Sequence, residues 1–198
     1  MKVVKKLDDL KSQKFITIAI GVVVAIVGCW MLYSTFFMNA IKPHEGFINR
    51  PIIVVGNSVE SSYDYSMETQ KELIEKLWKK FHSNKIASKI PDSVAGNRFY
   101  GVYSEYGNGG KYKLTAGTEV ASVNRKLEDY SYVTIPVGKY LVFSKKSAKG
   151  FRPQLVIDGW KDIDQYFDNN DDYVRDYKVD FEVYYSDGVD IYISYSEK

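Results

Sequence analysis

The sequence predicts an α+β fold: two βαββ halves built on an antiparallel sheet with two helices, following one N-terminal transmembrane helix. Three observations predict it. No charged residue occurs from Phe15 to Ile41. Beyond that run, the order strand, amphipathic helix, strand, strand occurs twice, as expected when one supersecondary unit is repeated within a domain. Each half closes on a glycine-containing hairpin signal, Gly107-Asn108-Gly109-Gly110 in the first and Asp187-Gly188 in the second.

Taken in order, residues 1–14 form a basic tail, with Lys2, Lys5, Lys6, Lys11 and Lys14 against Asp8 and Asp9. Residues 15–38 are long enough to span a bilayer, for which about 20 apolar residues suffice. A cleaved signal peptide would have an apolar region of only about 7–15 residues. The excess of lysine before the span predicts a single-pass membrane protein with a cytoplasmic N-terminus and an extracytoplasmic C-terminal domain. Residues 39–50 read as a linker, and 51–198 as the folded domain, with halves at 51–123 and 132–196.

In the first half, PIIVVGNSV (51–59) is a β-branched run and reads as a strand. Leu73, Ile74, Leu77, Trp78 and Phe81 mark one face of a helix over 66–82, with Ser66 as its N-cap. RFYGVYSEY and KYKLTAGTEVA then flank the glycine-rich turn as a hairpin. In the second half, YVTIPVGKYLVF (132–143) reads as one strand. Leu155, Ile157, Trp160, Ile163 and Phe167 mark a helix over 154–167, with Pro153 suited to its first turn. DFEVYYS and VDIYISYS form the last hairpin.

Composition narrows the functions. The chain has 198 residues, 27 Lys+Arg against 25 Asp+Glu, two His and one Cys. A net charge of +2 gives no general case for nucleic-acid binding. One cysteine, Cys29, leaves no intramolecular disulfide framework, and His44 and His82 lie far apart in sequence. No catalytic residue, metal ligand or cofactor is assigned. Charge is divided unevenly: residues 43–149 hold 16 basic and 11 acidic side chains, whereas 150–198 hold 5 and 12. Most aspartates of the second half fall on or after one helix and read as a solvated face.

Aligning the halves places Tyr100-Gly101-Val102-Tyr103 on Phe181-Glu182-Val183-Tyr184, and Trp78 on Trp160. Glu182 thus corresponds to Gly101, a carboxylate in one half matching the absence of a side chain in the other. With a two-residue turn at Asp187-Gly188, Glu182 pairs with Ile193 and shares a face with apolar neighbours. A bare carboxylate is costly there. Either a cation partners it or its pKa rises.

Together with Leu77-Trp78, Phe81, Tyr106, Tyr112–Gly117, Ile135–Tyr140 and Ile191-Tyr192-Ile193, these motifs resemble the gyrase-inhibitory-protein-like (GyrI-like) effector-binding family, related to the small-molecule-binding domains of bacterial multidrug-sensing regulators. The resemblance covers about residues 48–196. It implies a duplicated βαββ domain whose groove receives cationic, often amphipathic, small molecules on aromatic side chains and a buried Glu. That Glu corresponds to Glu182, and motif position makes Tyr103, Tyr140, Trp160 and Tyr192 wall residues. The membrane segment and the lack of a DNA-binding domain depart from the family pattern.

The expected function is a membrane-anchored binding protein for a hydrophobic or cationic small molecule, more a binder than an enzyme. Its expected partners are that molecule and, through 15–38, the lipid bilayer, without nucleic acid. Two alternatives stay open: a small-molecule hydrolase using Glu182 as general base, and a non-catalytic protein that interacts with a membrane-protein partner.

Overall fold

A computed structural model describes residues 42–94, 98–124 and 126–198. The strands are β1 (His44–Ile48), β2 (Ile52–Ser62), β3 (Phe99–Ser104), β4 (Lys111–Val120), β5 (Ser131–Ile135), β6 (Gly138–Lys146), β7 (Tyr173–Arg175), β8 (Asp180–Tyr184) and β9 (Gly188–Glu197). The helices are α1 (Met67–Ser83), α2 (Ile86–Lys89) and α3 (Pro153–Asp168). The class is α+β, dominated by an antiparallel sheet, with a third short helix in addition to the two expected.

Local chemistry accounts for the helix ends. Ser66 caps α1, its hydroxyl accepting the Thr69 amide at 3.2 Å. Pro153 sits in the first turn of α3, where a missing N–H costs nothing.

The sheet runs β1-β6-β9-β8-β3-β4-β2-β5, and β7 pairs separately with β9. One short connection sets its curvature. Only Pro136 and Val137 join β5 to β6, yet six strand spacings separate these strands in the sheet order. Flat, that separation would be roughly 29 Å at about 4.8 Å per strand. Two linking residues cannot reach so far, so the sheet curls. Its concave face gathers Val54, Tyr100, Val102, Ile135, Tyr140, Phe181 and Val183 from five strands into one buried cluster. The outer face carries the helices, α1 on β2 and β4 and α3 on β6 and β9.

Several expectations are corrected. Residues 132–143 are not one strand: Pro136 ends β5, and β6 joins a different neighbour. The linker at 39–50 contains β1, an edge strand that pairs antiparallel with β6 and leaves little apolar alternation to read. In the last hairpin, the turn lies one step earlier, with Tyr184 opposite Val189 and Glu182 opposite Ile191 rather than Ile193. A slip of two residues preserves which face each side chain occupies, so Glu182 still faces an apolar partner.

The expected single-pass membrane location is also corrected. Among the described residues, no helix is long and apolar enough to cross a membrane. The longest, α1, has 17 residues and a face of Lys and Glu. The segment 15–38, on which the location and the bilayer contact were both based, lies outside the described residues, as does the tail 1–14.

Candidate functional site

Because α1 and α3 cover opposite flanks of the outer face, β3 and β8 form the floor between them. These two strands pair antiparallel with Gly101 directly opposite Glu182. The two residues that the sequence comparison matches are therefore neighbours in space. Alternation along each strand puts Tyr103 and Tyr184, each two residues further on, on the same outer face. Trp78 leans in from α1 and Trp160 from α3.

Glu182 is 1% exposed. Its Oε1 accepts hydrogen bonds from Tyr103 Oη at 3.0 Å and Trp160 Nε1 at 2.7 Å, and its Oε2 accepts one from Tyr184 Oη at 2.5 Å. No cation hydrogen-bonds to it among the described residues. Burial raises its pKa above the ordinary value, and the bonds from Tyr184, Trp160 and Tyr103 offset only part of the rise. Burial, reinforced by the nearby Glu182 charge, also pushes the Tyr103 and Tyr184 hydroxyls well up, so both remain neutral donors.

The rings enclose this carboxylate. Tyr103 meets Trp160 edge-on with centroids 5.0 Å apart, and Tyr184 meets Trp78 at 4.8 Å. Phe151 closes on Tyr184 at 5.4 Å. Such rings present electron-rich faces suited to an organic cation. Glycine at 101 is required by space: an added Cβ would stand 2.6 Å from Glu182 Oε2 and 3.4 Å from a Trp78 ring carbon. Gly101→Ala is expected to lower stability by about 1–3 kcal/mol, the usual cost of overpacking, measured as a fall in the thermal midpoint.

A second carboxylate lies two residues before Glu182 on the same strand face. Asp180 is fully buried. Its Oδ1 accepts the Ser194 amide at 2.7 Å and the Ser194 hydroxyl at 2.9 Å. Its Oδ2 accepts Tyr106 Oη at 2.8 Å, Arg175 Nη2 at 2.7 Å and Arg175 Nε at 3.1 Å. The Arg175 guanidinium also lies 4.5 Å from the Tyr177 ring centroid, 5.1 Å from Trp160 and 5.9 Å from Tyr106. Burial alone would lower the Arg175 pKa, but Asp180 and the neighbouring tyrosines raise it above its ordinary value.

Of the five residues expected to form the site, the structure brings together Glu182, Tyr103 and Trp160. Tyr140 and Tyr192 are not brought to it: both lie on the concave face, packed on Phe181 at 5.2 and 4.3 Å. The reason is the two-residue period of a strand. Tyr192 flanks Ile191, the partner of Glu182, and so points the opposite way. Tyr140 pairs with Ser194, which shares the parity of Tyr192.

Sequence reasoning did not assign Tyr184, Asp180 or Arg175 to the site. The signal for Tyr184 was its i+2 position from Glu182 within DFEVY. Arg175 carries no local signal, because β7 reaches the groove only through its pairing with β9. The groove expected at Glu182 is closed in this structure, its carboxylate covered by three side chains. Among the described residues, no three His, Cys, Asp or Glu side chains are placed to hold a metal ion.

The model of the Cass2 family, integron-associated effector binding proteins, matches residues 50–194. No curated protein matches the chain. The fold is similar to an integron cassette protein from the mobile metagenome of Vibrio cholerae, at 26% identity and a TM-score of 0.64, covering 78% of this chain and 96% of that one. It is also similar to SAV2435, solved bound to tetraphenylphosphonium, at 17% identity and a TM-score of 0.59, covering 78% of this chain and 94% of that one.

Proposed function

Because the chain belongs to the integron-associated effector-binding family, whose effector-binding domain takes small molecules, we propose that it binds an aromatic or amphipathic organic cation between Trp78 and Trp160, with Glu182 as counter-charge. One observation carries this reading: a buried carboxylate held by three neutral donors, without a cation, inside an aromatic box. A carboxylate so placed has an unmet demand for positive charge, and the surrounding ring faces would attract the same ligand. Entry requires Trp160 to give up its bond to Glu182, so binding is coupled to opening of the box.

The domain division at 51–198 and its halves at 51–123 and 132–196 are part of this reading. Two features support pseudo-symmetric halves. The core of the sheet order, β6-β9-β8-β3-β4-β2, is palindromic in the two units. Tyr103 of the first half meets Trp160 of the second, and Tyr184 of the second meets Trp78 of the first. The site lies where the two halves pair, which explains how one half contributes Glu182 and the other the space at Gly101. Tyr140 and Tyr192 have no part in it.

The test uses tetraphenylphosphonium, the ligand present in the SAV2435 structure. At a concentration of about 100 times Kd it should stabilise the protein by about 2.7 kcal/mol, a rise of about 5–10 °C in the thermal midpoint for a domain of this size. Glu182→Gln should retain the fold, since the amide oxygen can accept from Tyr103 and Trp160 while its nitrogen donates to Tyr184. The same variant should lose the ligand-induced shift. No shift in the wild type, or an undiminished shift in Glu182→Gln, overturns the reading.

A further inference from the structure

The groove floor carries two carboxylates on one strand face, and only one of them is charge-compensated. Residues i and i+2 of a strand lie about 7 Å apart, which sets the spacing of Asp180 and Glu182. Asp180 is neutralised within the protein by Arg175, whose guanidinium is sandwiched among Tyr106, Trp160 and Tyr177 as a bound cation would be. Arg175 is delivered by β7, the three-residue strand pinned to the C-terminal end of β9. Its side chain is 8% exposed. Trp160 stands between the two carboxylates, its indole N–H on Glu182 and its ring beside Arg175.

We propose that Arg175 is a specificity-determining residue: as a built-in cation it occupies the Asp180 end of the groove and restricts the site to monocationic ligands, whose charge is met by Glu182 alone. This inference rests on the reading of Glu182 as the ligand's counter-charge. Without Arg175, the floor would present two uncompensated carboxylates within an aromatic enclosure, an arrangement suited to a rigid aromatic dication with matching charge spacing. With Arg175 in place, a second positive charge at that end meets a like charge in a poorly solvated setting and is rejected.

The test compares tetraphenylphosphonium with methyl viologen, a flat bipyridinium whose two charges are separated by about the same distance as the two carboxylates. Both are titrated by calorimetry into the full chain. Wild type should bind tetraphenylphosphonium and discriminate against methyl viologen. Arg175→Met should gain at least tenfold in methyl viologen affinity relative to its tetraphenylphosphonium affinity. Arg175→Met/Asp180→Asn, in which the second carboxylate is gone, should show no such gain. An equal gain in the double variant overturns the proposal, because mere opening of the groove would then account for it; no gain in Arg175→Met also overturns it.

If Arg175→Met does not fold, Asp180→Asn alone decides. It leaves the Arg175 charge uncompensated and should weaken tetraphenylphosphonium binding at least threefold, an effect reduced by added salt; unchanged affinity overturns the proposal. The two levels of inference fail separately. Loss of all tetraphenylphosphonium binding in the wild type overturns the Glu182 reading and this proposal with it. Glu182-dependent tetraphenylphosphonium binding without the methyl viologen gain overturns this proposal alone.

Discussion

Arg175→Met is expected to destabilise the protein by about 3–5 kcal/mol, the cost of leaving one member of a buried ion pair without its partner. The wild-type pair is almost solvent-free, with Asp180 at 0% and the Arg175 side chain at 8% exposure. Removing the guanidinium leaves Asp180 with the Ser194 amide and hydroxyl and the Tyr106 hydroxyl, all neutral donors. Methionine can replace much of the packing against Tyr177 and Trp160, so the loss reflects charge more than volume. Adding Asp180→Asn should recover at least half of it, since the amide can keep the Ser194 and Tyr106 bonds without a buried charge. Urea melts of wild type, both single variants and the double variant measure the coupling directly. A single-variant loss below about 1 kcal/mol would show the pair to be solvated in solution, where such bridges contribute little.

Affinity for a monocation should rise by up to tenfold per pH unit as pH increases through the acidic range, then level off above the pKa of Glu182. The sign follows from which protonation state binds the cation. The folded-state pKa of Glu182 lies above the ordinary value of 4.5, so over an interval above that value the empty site is largely protonated. A cation binds the carboxylate form and expels the proton, and deprotonation is the cost that higher pH removes. Stability of the unliganded protein changes in the opposite direction. A carboxyl whose pKa is raised by folding contributes stability that is fully present below 4.5 and is lost as pH rises through the folded value. The two slopes should therefore oppose one another over the same window, and Glu182→Gln should abolish both. Calorimetry in buffers of different ionisation enthalpy should detect the released proton. Affinity independent of pH between 4 and 8 would mean that Glu182 is already ionised in the empty protein.

Much of the architecture was legible because it is written in local periodicity. The apolar stripe Leu73, Ile74, Leu77, Trp78, Phe81 specifies α1 to within a residue at each end, and Ser66 caps it as its chemistry suggests. The hairpin at Gly107–Gly110 and the helix beginning at Pro153 are local in the same sense. What escaped is what local pattern cannot encode. β1 and β7 are short, carry little apolar alternation, and exist because a partner strand offers them hydrogen bonds. The run 132–143 has continuous β character, and only the inability of Pro136 to donate a hydrogen bond, acting with the curl of the sheet, divides it between two neighbours.

The same distinction applies to the site. Glu182 was conspicuous as a carboxylate inside an aromatic strand, and its correspondence with Gly101 pointed to charge on one strand and space on another. Family motifs added Tyr103 and Trp160. They also suggested Tyr140 and Tyr192, because motif position does not report which face of a strand a residue occupies in the assembled sheet.

The sequence by itself determined the α+β class, the two principal helices, the hairpins and the one carboxylate that apolar surroundings make expensive, since each depends on residues close together along the chain. Only the tertiary structure decided which aromatic rings surround that carboxylate, that Tyr184 is its third donor, and that Arg175 occupies the neighbouring aromatic cage over Asp180. Those facts depend on pairing between strands from distant parts of the chain: β3 with β8, and β7 with β9. Strand register controls which face a side chain occupies, and no property of a single strand contains that information.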